Sequence, residues 1–442
     1  MRRLLTMLAI LSAMTATAHA DDWPQFLGLK REGVWREGGI VDALPQEPKY
    51  AWRMPVGQGY AGPAVADGRV YVTDLVPVDG DKLPKSGFAK SSIDGNERVL
   101  CLDVKTGKEL WKQQYPVTYR VSYPAGPRCT PTVDGDRVYT LGAMGDLLCL
   151  DAKNGEILWK KNFVKDFDAD IPVWGFSSHP LVDGDKLICL VGGSEGRGVI
   201  AFDKKTGEVK WKSVTTRGDF GYGVPVIYEL GKVRQLIIWH SQAIVGLDPE
   251  TGKRLWNQPW EIRAALTAPM PRAAGDKLFL TAFYNGGTLL DVSADSARVV
   301  WQSKKASEMA AQTTELHSIM STPVIKDGHI YGVCSYGELR CLKLDTGERI
   351  WDTYKPIVGK SVRWGHAFII PHEDRYVMFN ELGELIFCKL SPEKYEEISR
   401  LKIIEPTNVM AGRNVVWMHP AFADKKCFAR NDKEIVCVDL AK

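Results

Sequence analysis

From residue 50 onward, short runs of alternating apolar and polar residues are separated by residues that favour tight turns. Residues 131–161 show the pattern once, with four such runs joined at residues 134–135, 142–146 and 153–155. β-Branched and aromatic residues that flank Asp-Gly and Asn-Gly turns are typical of β-hairpins. The segment therefore predicts a sheet of four antiparallel strands in meander order.

The fourth run of the unit ends in a tryptophan, and the sequence before it returns along the chain. LDVKTGKELW recurs as LDAKNGEILW, FDKKTGEVKW and LDPETGKRLW, and then more loosely as LDVSADSARVVW and LKLDTGERIW. The repeat tryptophans are Trp111, Trp159, Trp211, Trp256, Trp301 and Trp351. A spacing of roughly 50 residues is typical of propellers and solenoids. We expect each tryptophan to pack between neighbouring sheets, because a large rigid ring fills the wedge between them; stacking on a ligand is the alternative role.

Turns between first and second strands can be counted along the chain. Asp-Gly turns lie at residues 67–68, 134–135, 183–184 and 327–328, and degraded forms lie near Gly231, Gly275, Asp374 and Asp424, which indicates eight sheets. The last sheet, residues 419–440, lacks a fourth strand, whereas residues 50–56, with Trp52 in the tryptophan position, precede the first sheet. Pairing the two ends closes a ring and removes exposed sheet edges. The sequence predicts an all-β, eight-bladed β-propeller of four-stranded antiparallel blades with terminal strand closure, over residues 50–442.

The repeated motif A/C-L-D-x-x-T-G-x-x-x-W resembles the tryptophan-docking repeat of the quinoprotein (PQQ-like) propeller superfamily. The opening DWPQFLGLKREGVW, residues 22–35, is similar to the start of exported PQQ-binding-like members of that superfamily. The resemblance implies the propeller, and it brings PQQ with Ca²⁺ as the cofactors of the family's dehydrogenases. Two features of those enzymes are absent from this sequence, namely the vicinal cysteine pair and a matching set of Glu, Asn and Asp. The resemblance therefore leaves the cofactor open, because function depends on the site and not on the fold.

The first twenty residues are typical of a secretory signal peptide, with two arginines, an apolar run and small residues before a cleavage point after Ala20. Cleavage there leaves residues 21–49 as an N-terminal extension and predicts a periplasmic or secreted protein. The formal net charge of +3 gives no basis for binding nucleic acid. No later segment has the apolar length of a membrane span. We expect a monomer.

Nine cysteines in an exported protein raise the question of disulfides. Cys101, Cys149 and Cys437 occupy one repeat position, where other units have alanine or glycine. Such a position is small and buried, and equivalent positions in neighbouring sheets are too far apart for a disulfide. We expect reduced core cysteines; a disulfide framework is the alternative.

In the predicted topology the tight turns share one face of the ring, here called the turn face. The other face, here called the loop face, carries the second-to-third loops and the long crossings between blades, such as residues 113–130 and 404–419. Binding groups concentrate on long loops of rigid scaffolds; arginine binds carboxylate or phosphate, and aromatic rings pack on sugars and planar groups. The candidate ligand-binding residues are Arg128, Trp174, His179, Tyr222, Glu315, His317, Arg363, Trp364, His366, Arg413, Trp417 and His419.

Each of these residues also has a structural interpretation, because a histidine at an inner strand often bonds a neighbouring blade and a tryptophan or arginine in a crossing often fills the channel. Metal binding by His179, His366 and His419 is a third interpretation, but no short-range ligand spacing supports it, and no metal site is predicted. The sequence assigns no catalytic residue. It predicts a non-catalytic binding or scaffold module for a partner protein or an anionic or glycan ligand. The alternative is a quinoprotein-type oxidoreductase that uses PQQ and Ca²⁺.

Overall fold

The computed structural model describes residues 22–78, 80, 92–304, 307 and 309–442. The predicted signal peptide, residues 1–20, lies outside the described residues. No helix in these ranges is long and apolar enough to cross a membrane.

The described chain forms eight four-stranded antiparallel sheets and one two-stranded hairpin. Strand β1 is Tyr50–Pro55. Blade 1 contains β2 (Ala64–Ala66), β3 (Arg69–Pro77), β4 (Ile93–Asp103) and β5 (Glu109–Tyr119). Blade 2 contains β6 (Thr132–Asp134), β7 (Arg137–Leu141), β8 (Asp146–Asp151) and β9 (Ile157–Asn162), followed by the short helix α1 (Phe163–Phe167). Blade 3 contains β10 (Leu181–Asp183), β11 (Lys186–Leu190), β12 (Val199–Asp203) and β13 (Val209–Ser213). Blade 4 contains β14 (Val226–Leu230), β15 (Val233–His240), β16 (Ala243–Leu247) and β17 (Arg254–Pro259).

The second half of the ring follows the same order. Blade 5 contains β18 (Arg272–Ala274), β19 (Lys277–Ala282), β20 (Gly286–Val292) and β21 (Ala297–Gln302). Blade 6 contains β22 (Val324–Lys326), β23 (His329–Val333), β24 (Leu339–Lys343) and β25 (Arg349–Thr353). Blade 7 contains β26 (Ala367–His372), β27 (Arg375–Asn380), β28 (Glu384–Leu390) and β29 (Tyr395–Lys402). The hairpin β30 (Asn408–Met410) and β31 (Arg413–Val415) comes next, and blade 8 contains β32 (Ala421–Ala423), β33 (Lys426–Arg430) and β34 (Glu434–Asp439). Short 3-10 helices lie at Arg263–Ala265 and Ala310–Gln312.

The blades form a closed ring, which confirms the predicted eight-bladed propeller. Inner strands of successive blades contact one another in both halves of the ring, from β2 to β10 and from β18 to β26, and β32 contacts β2 across the junction of the chain ends. Strand β1 completes blade 8 by pairing antiparallel with β34, from Tyr50 opposite Val438 to Pro55 opposite Glu434. The crossings are more ordered than the sequence predicted, because β5 continues to Tyr119 and the crossing before blade 8 contains the hairpin β30–β31.

The repeat tryptophans lie between blades, as predicted. The indole Nε1 of Trp111 in blade 1 donates to the carbonyl oxygen of Ala152 in blade 2, at 3.0 Å. The equivalent bond from Trp351 in blade 6 reaches the carbonyl oxygen of Ser391 in blade 7, at 3.0 Å. Trp256 is the exception, because its Nε1 bonds the Gln235 side chain of its own blade. The blade after Trp256 has SADSA at the turn between its third and fourth strands, where most other blades have a Thr-Gly or Asn-Gly turn.

All nine cysteines are free and buried, which confirms the predicted reduced core positions. Burial raises the pKa of the Cys101 and Cys149 thiols to about 12, so both stay protonated at neutral pH.

The N-terminal extension occupies the central channel, a placement that the sequence did not predict. Trp23 forms an antiparallel bridge with Val65 of β2, and the carbonyl of Pro24 accepts from the backbone N–H of Val133, at 2.8 Å. The Arg31 guanidinium is buried and donates to the carbonyls of His179, Pro180 and Pro225, in blades 3 and 4. We call residues 22–37 the plug.

The plug enters the channel from the turn face. The backbone N–H of Trp35 donates to the carbonyl of Pro371 at 3.0 Å, and the Glu37 carboxylate accepts from the backbone N–H of Lys425. Pro371 and Lys425 lie at first-to-second strand turns. Arg31 bonds instead at the start of β10, the opposite end of an inner strand. The plug therefore closes the turn face and leaves the loop face open.

Candidate functional site

A cavity of about 260 Å³ lies on the loop face above the plug. Residues from all eight blade entries line it, together with Phe26 of the plug. Seven of the predicted ligand-binding residues belong to this wall: Arg128, Trp174, His179, Tyr222, Trp364, Trp417 and His419. The structure adds six aromatic residues that the sequence did not single out: Phe26, Tyr60, Tyr123, Phe283, Tyr284 and Phe368.

Proline dipeptides place the two cavity histidines. His179 precedes Pro180 directly before β10, and His419 precedes Pro420 directly before β32. Proline keeps the preceding residue extended, and it suits the first residue of a strand because it has no N–H to donate. Both imidazoles are thus fixed at the channel end of an inner strand, where they line the cavity.

Both imidazoles are neutral at pH 7. Burial lowers the pKa of His179 well below its usual value, helped by the nearby Arg31 guanidinium. Burial also lowers the pKa of His419 to about 4. The Nδ1 atom of His179 accepts from the Thr130 N–H at 3.0 Å, and Nδ1–H of His419 donates to the Pro420 carbonyl at 2.6 Å.

Arg128 is the one charged side chain among the described residues of the cavity wall. Its guanidinium donates to the carbonyls of Ser122, Tyr123 and Gly126 and lies 5.1 Å from the ring centroid of Tyr60. The described cavity wall contains no carboxylate, and the hydrogen-bond partners of Arg128 are backbone carbonyls. The positive charge is therefore held in place by backbone dipoles and is not neutralised.

Two aromatic residues of the wall hold left-handed backbone conformations. Tyr123 has a φ of 53° and Trp364 has a φ of 61°. For residues with a side chain this region costs about 1–2 kcal/mol each. Such strain persists where the surrounding structure fixes it, and it concentrates at binding and catalytic sites.

The other five predicted residues lie outside the cavity wall. Arg413 forms two hydrogen bonds with the buried carboxylate of Glu381, at 2.7 and 3.1 Å. His366 is buried, with Nδ1 3.2 Å from the Ser321 hydroxyl. The remaining three also have protein contacts: Glu315 accepts from Ser303, His317 donates to the Phe283 carbonyl, and exposed Arg363 lies 4.5 Å over the Trp364 ring. The crossings therefore supply more aromatic surface and less positive charge to the cavity than the sequence indicated.

The residues of the cavity do not fit PQQ with Ca²⁺. Calcium is bound by six to eight oxygen atoms, largely from carboxylates and amides. No carboxylate or side-chain amide belongs to the cavity wall in the described ranges, and no group of three His, Cys, Asp or Glu there could hold a metal ion.

Comparisons with known proteins agree with this architecture. The sequence profile of the PQQ-like repeat family described as "Outer membrane protein assembly factor BamB" matches residues 95–353, more than half of the chain. No match was found among curated proteins. The crystal structure of BamB from Moraxella catarrhalis superposes with a TM-score of 0.55 at 14% identity, covering 88% of this chain and 97% of that one. Quinohemoprotein alcohol dehydrogenase from Comamonas testosteroni superposes with a TM-score of 0.62 at 15% identity, covering 96% of this chain and 81% of that one. At these identities the structural likeness shows the fold alone.

Proposed function

The chain belongs to the PQQ-like repeat family described as outer membrane protein assembly factor BamB, and we propose that it is a non-catalytic binding protein whose loop-face cavity holds an anionic glycan. The observation that carries the proposal is a cavity walled by aromatic rings with Arg128 as its one charged side chain among the described residues. Aromatic faces pack on sugar rings, and a fixed guanidinium binds a carboxylate.

The size of the cavity favours a small ligand. Its volume of about 260 Å³ is just below the range of about 300–1,000 Å³ that is usual for ligand pockets. One sugar ring with a carboxylate suits this space better than an extended chain. A longer glycan would place its terminal ring in the cavity and leave the rest on the loop face.

The titratable groups of the wall favour binding over catalysis. A general base works best when its pKa lies near the operating pH. Burial brings the pKa of His419 to about 4 and that of His179 well below its usual value. These imidazoles are poor bases at neutral pH, and no carboxylate of the described wall replaces them.

The test is titration of the purified protein with galacturonate, galactose and PQQ plus Ca²⁺, followed by tryptophan fluorescence and calorimetry. We expect saturable binding of galacturonate and weaker binding of galactose. Arg128→Gln should weaken galacturonate binding by about tenfold to a hundredfold, the range for a hydrogen-bonded charge pair. Arg120→Gln, in the same crossing but exposed, is the matched control and should bind as the unmodified protein does.

Two results would reject the proposal. One is the absence of any saturable sugar binding. The other is stoichiometric PQQ binding with reduction of a dye by alcohols or sugars, which would favour the oxidoreductase alternative.

A partner protein is the second candidate, favoured by the family description and by exposed aliphatic side chains on the loop face. Val409 is 64% exposed in the hairpin β30–β31, and Val173 is 45% exposed in the crossing before blade 3. We expect Val173→Asp with Val409→Asp to abolish co-purification of a partner from the source cell while galacturonate still binds. Export completes the proposal and rests on the sequence of residues 1–20 and on the family resemblance.

A further inference from the structure

The two histidines of the cavity have opposite tautomers. A backbone N–H can only donate, so Nδ1 of His179, which accepts from the Thr130 N–H, is unprotonated. The proton of this neutral ring is therefore on Nε2. A carbonyl can only accept, so Nδ1 of His419 carries the proton that it donates to Pro420, and its Nε2 is a bare acceptor.

Both Nε2 atoms are available to a ligand. Neither has a hydrogen-bond partner in the described part of the chain, and neither is among its fully buried unpartnered atoms. Both rings line the cavity and are 7% exposed. One donor and one acceptor thus remain at the base of the cavity.

The plug holds these two rings together. The Phe26 phenyl stacks on His179 with a centroid distance of 4.0 Å and an interplanar angle of 5°. The same phenyl meets His419 edge-on at 5.2 Å. The Phe368 ring also packs against His419, with a centroid distance of 4.5 Å and an interplanar angle of 52°. The donor and the acceptor are fixed beside one phenyl ring that forms the floor.

We propose that this floor selects a neutral hydroxylated face of the ligand, so that the site takes a uronic acid with its hydroxyls on His179 and His419 and its carboxylate on Arg128. This inference rests on the proposed function and adds the ligand class and its orientation. A hydroxyl both donates and accepts, so one ligand hydroxyl accepts from Nε2–H of His179 and another donates to Nε2 of His419 in the proposed complex.

Charged groups do not suit the floor. A carboxylate accepts only, so it would oppose the lone pair on Nε2 of His419, and an ammonium donates only, so it would oppose the N–H of His179. Leaving a buried polar group unpaired is unfavourable, which makes the mismatch selective. The carboxylate is therefore directed to Arg128, whose guanidinium is the fixed positive charge of the wall.

The experiment compares galacturonate with cyclohexanecarboxylate, which has a six-membered ring and a carboxylate but no hydroxyls. On the unmodified protein we expect galacturonate to bind roughly tenfold more tightly, as expected for two neutral hydrogen bonds. His179→Phe and His419→Phe should each weaken galacturonate binding roughly fivefold and leave cyclohexanecarboxylate unchanged. His329→Gln, at a turn on the opposite face, is the histidine control and should change neither affinity.

The outcomes separate this inference from the proposed function. If neither acid binds, both proposals fail. If both acids bind with equal affinity, or if the histidine variants weaken both equally, His179 and His419 do not recognise ligand hydroxyls and this inference is wrong. The proposed binding of an anionic ligand in the aromatic cavity at Arg128 is then unaffected. If a histidine variant does not fold, as judged by circular dichroism, the affinity ratio of the two acids on the unmodified protein decides, and a ratio near one overturns the inference.

Discussion

The glycine of the repeated Thr-Gly turn is required by a neighbouring blade as well as by its own backbone. Gly252 has a φ of +71°, and a Cβ there would lie 2.5 Å from Cε3 of Trp211 in the preceding blade. A Cβ at Gly155 would likewise lie 2.5 Å from Cε3 of Trp111 in the preceding blade. The motif therefore joins two blades, because the tryptophan of one blade packs on the glycine of the next.

This arrangement predicts that two glycine substitutions with similar backbone strain differ in cost. Gly135 also has a positive φ, +58°, but a Cβ there would meet no atom within 4 Å. Gly135→Ala should lower the free energy of unfolding by about 1 kcal/mol through backbone strain alone. Gly252→Ala should lower it by about 2–4 kcal/mol, because overpacking against the indole adds to the strain. Urea unfolding followed by fluorescence measures both, and equal losses would show that the contact with Trp211 is unimportant.

Because several histidines are buried, we predict that the free energy of unfolding falls in mild acid. Burial lowers the pKa of His419 to about 4 and that of His366 to about 3, whereas the unfolded value is about 6.5. Below pH 6.5 the unfolded chain binds more protons than the folded one, so the free energy of unfolding falls as the pH falls towards 4.

We expect each of these two histidines to lower the free energy of unfolding by about 1 kcal/mol when the pH falls from 7.5 to 5.5. His419→Gln should reduce the loss by that amount, whereas His329→Gln, at a partly exposed turn, should keep the loss of the unmodified protein. Urea unfolding at the two pH values provides the measurement. An identical pH dependence in all three proteins would mean that the buried imidazole of His419 does not cause the effect.

At the scale of single side chains, the sequence predicted part of the cavity for a local reason. His179, His419 and Trp417 stand at or just before the inner strands, so counting strands places them at the channel mouth. His366 has the same sequence position, but its ring is covered and bonded by Ser321. Burial of this kind depends on neighbours from another blade, and the sequence pattern does not record it.

At the scale of elements, the blades were predictable because their turns and tryptophans are local signals. The Asp103 carboxylate, for example, accepts from the N–H groups of Lys105 and Thr106 within its own turn. The plug gives no such signal. Arg31 bonds Pro180 and Pro225, which are far away in sequence, and the plug has no strand or helix periodicity. Its motif DWPQ was visible in the sequence, but the place where it docks was not.

At the scale of the whole molecule, the N-terminal segment has two separable tasks. Strand β1 closes the ring by completing blade 8, and the plug fills the channel and forms the floor of the cavity. Residues 38–49 connect the two parts, and within them residues 45–47 are exposed. Cutting after Gln46 leaves β1 covalently joined to blade 1, so the ring stays closed. The plug and residues 38–46 are then held by non-covalent contacts alone, which include the bridge of Ile40 with Ala441.

We predict that the plug remains bound after such a cut. Trp23 and Trp35 are almost fully buried, and burial of large aromatic side chains contributes about 2–3 kcal/mol each. With a protease site inserted after Gln46, size-exclusion chromatography and mass spectrometry should find the cleaved peptide with the propeller. Arg31→Met leaves the carbonyls of His179 and Pro225 without this donor, at about 1–3 kcal/mol for each unsatisfied group, whereas the Pro180 carbonyl keeps its bond from the Thr132 hydroxyl.

The cut Arg31→Met variant should therefore release its peptide, while the uncut variant keeps it by tethering. Release removes Phe26 from the floor, so galacturonate binding should be lost in the cut variant and retained in the cut protein with Arg31 intact. If the intact-Arg31 peptide dissociates after the cut, the covalent connection rather than the buried contacts holds the plug. If galacturonate still binds once the peptide is gone, the plug does not form the floor on which the two histidines are arranged.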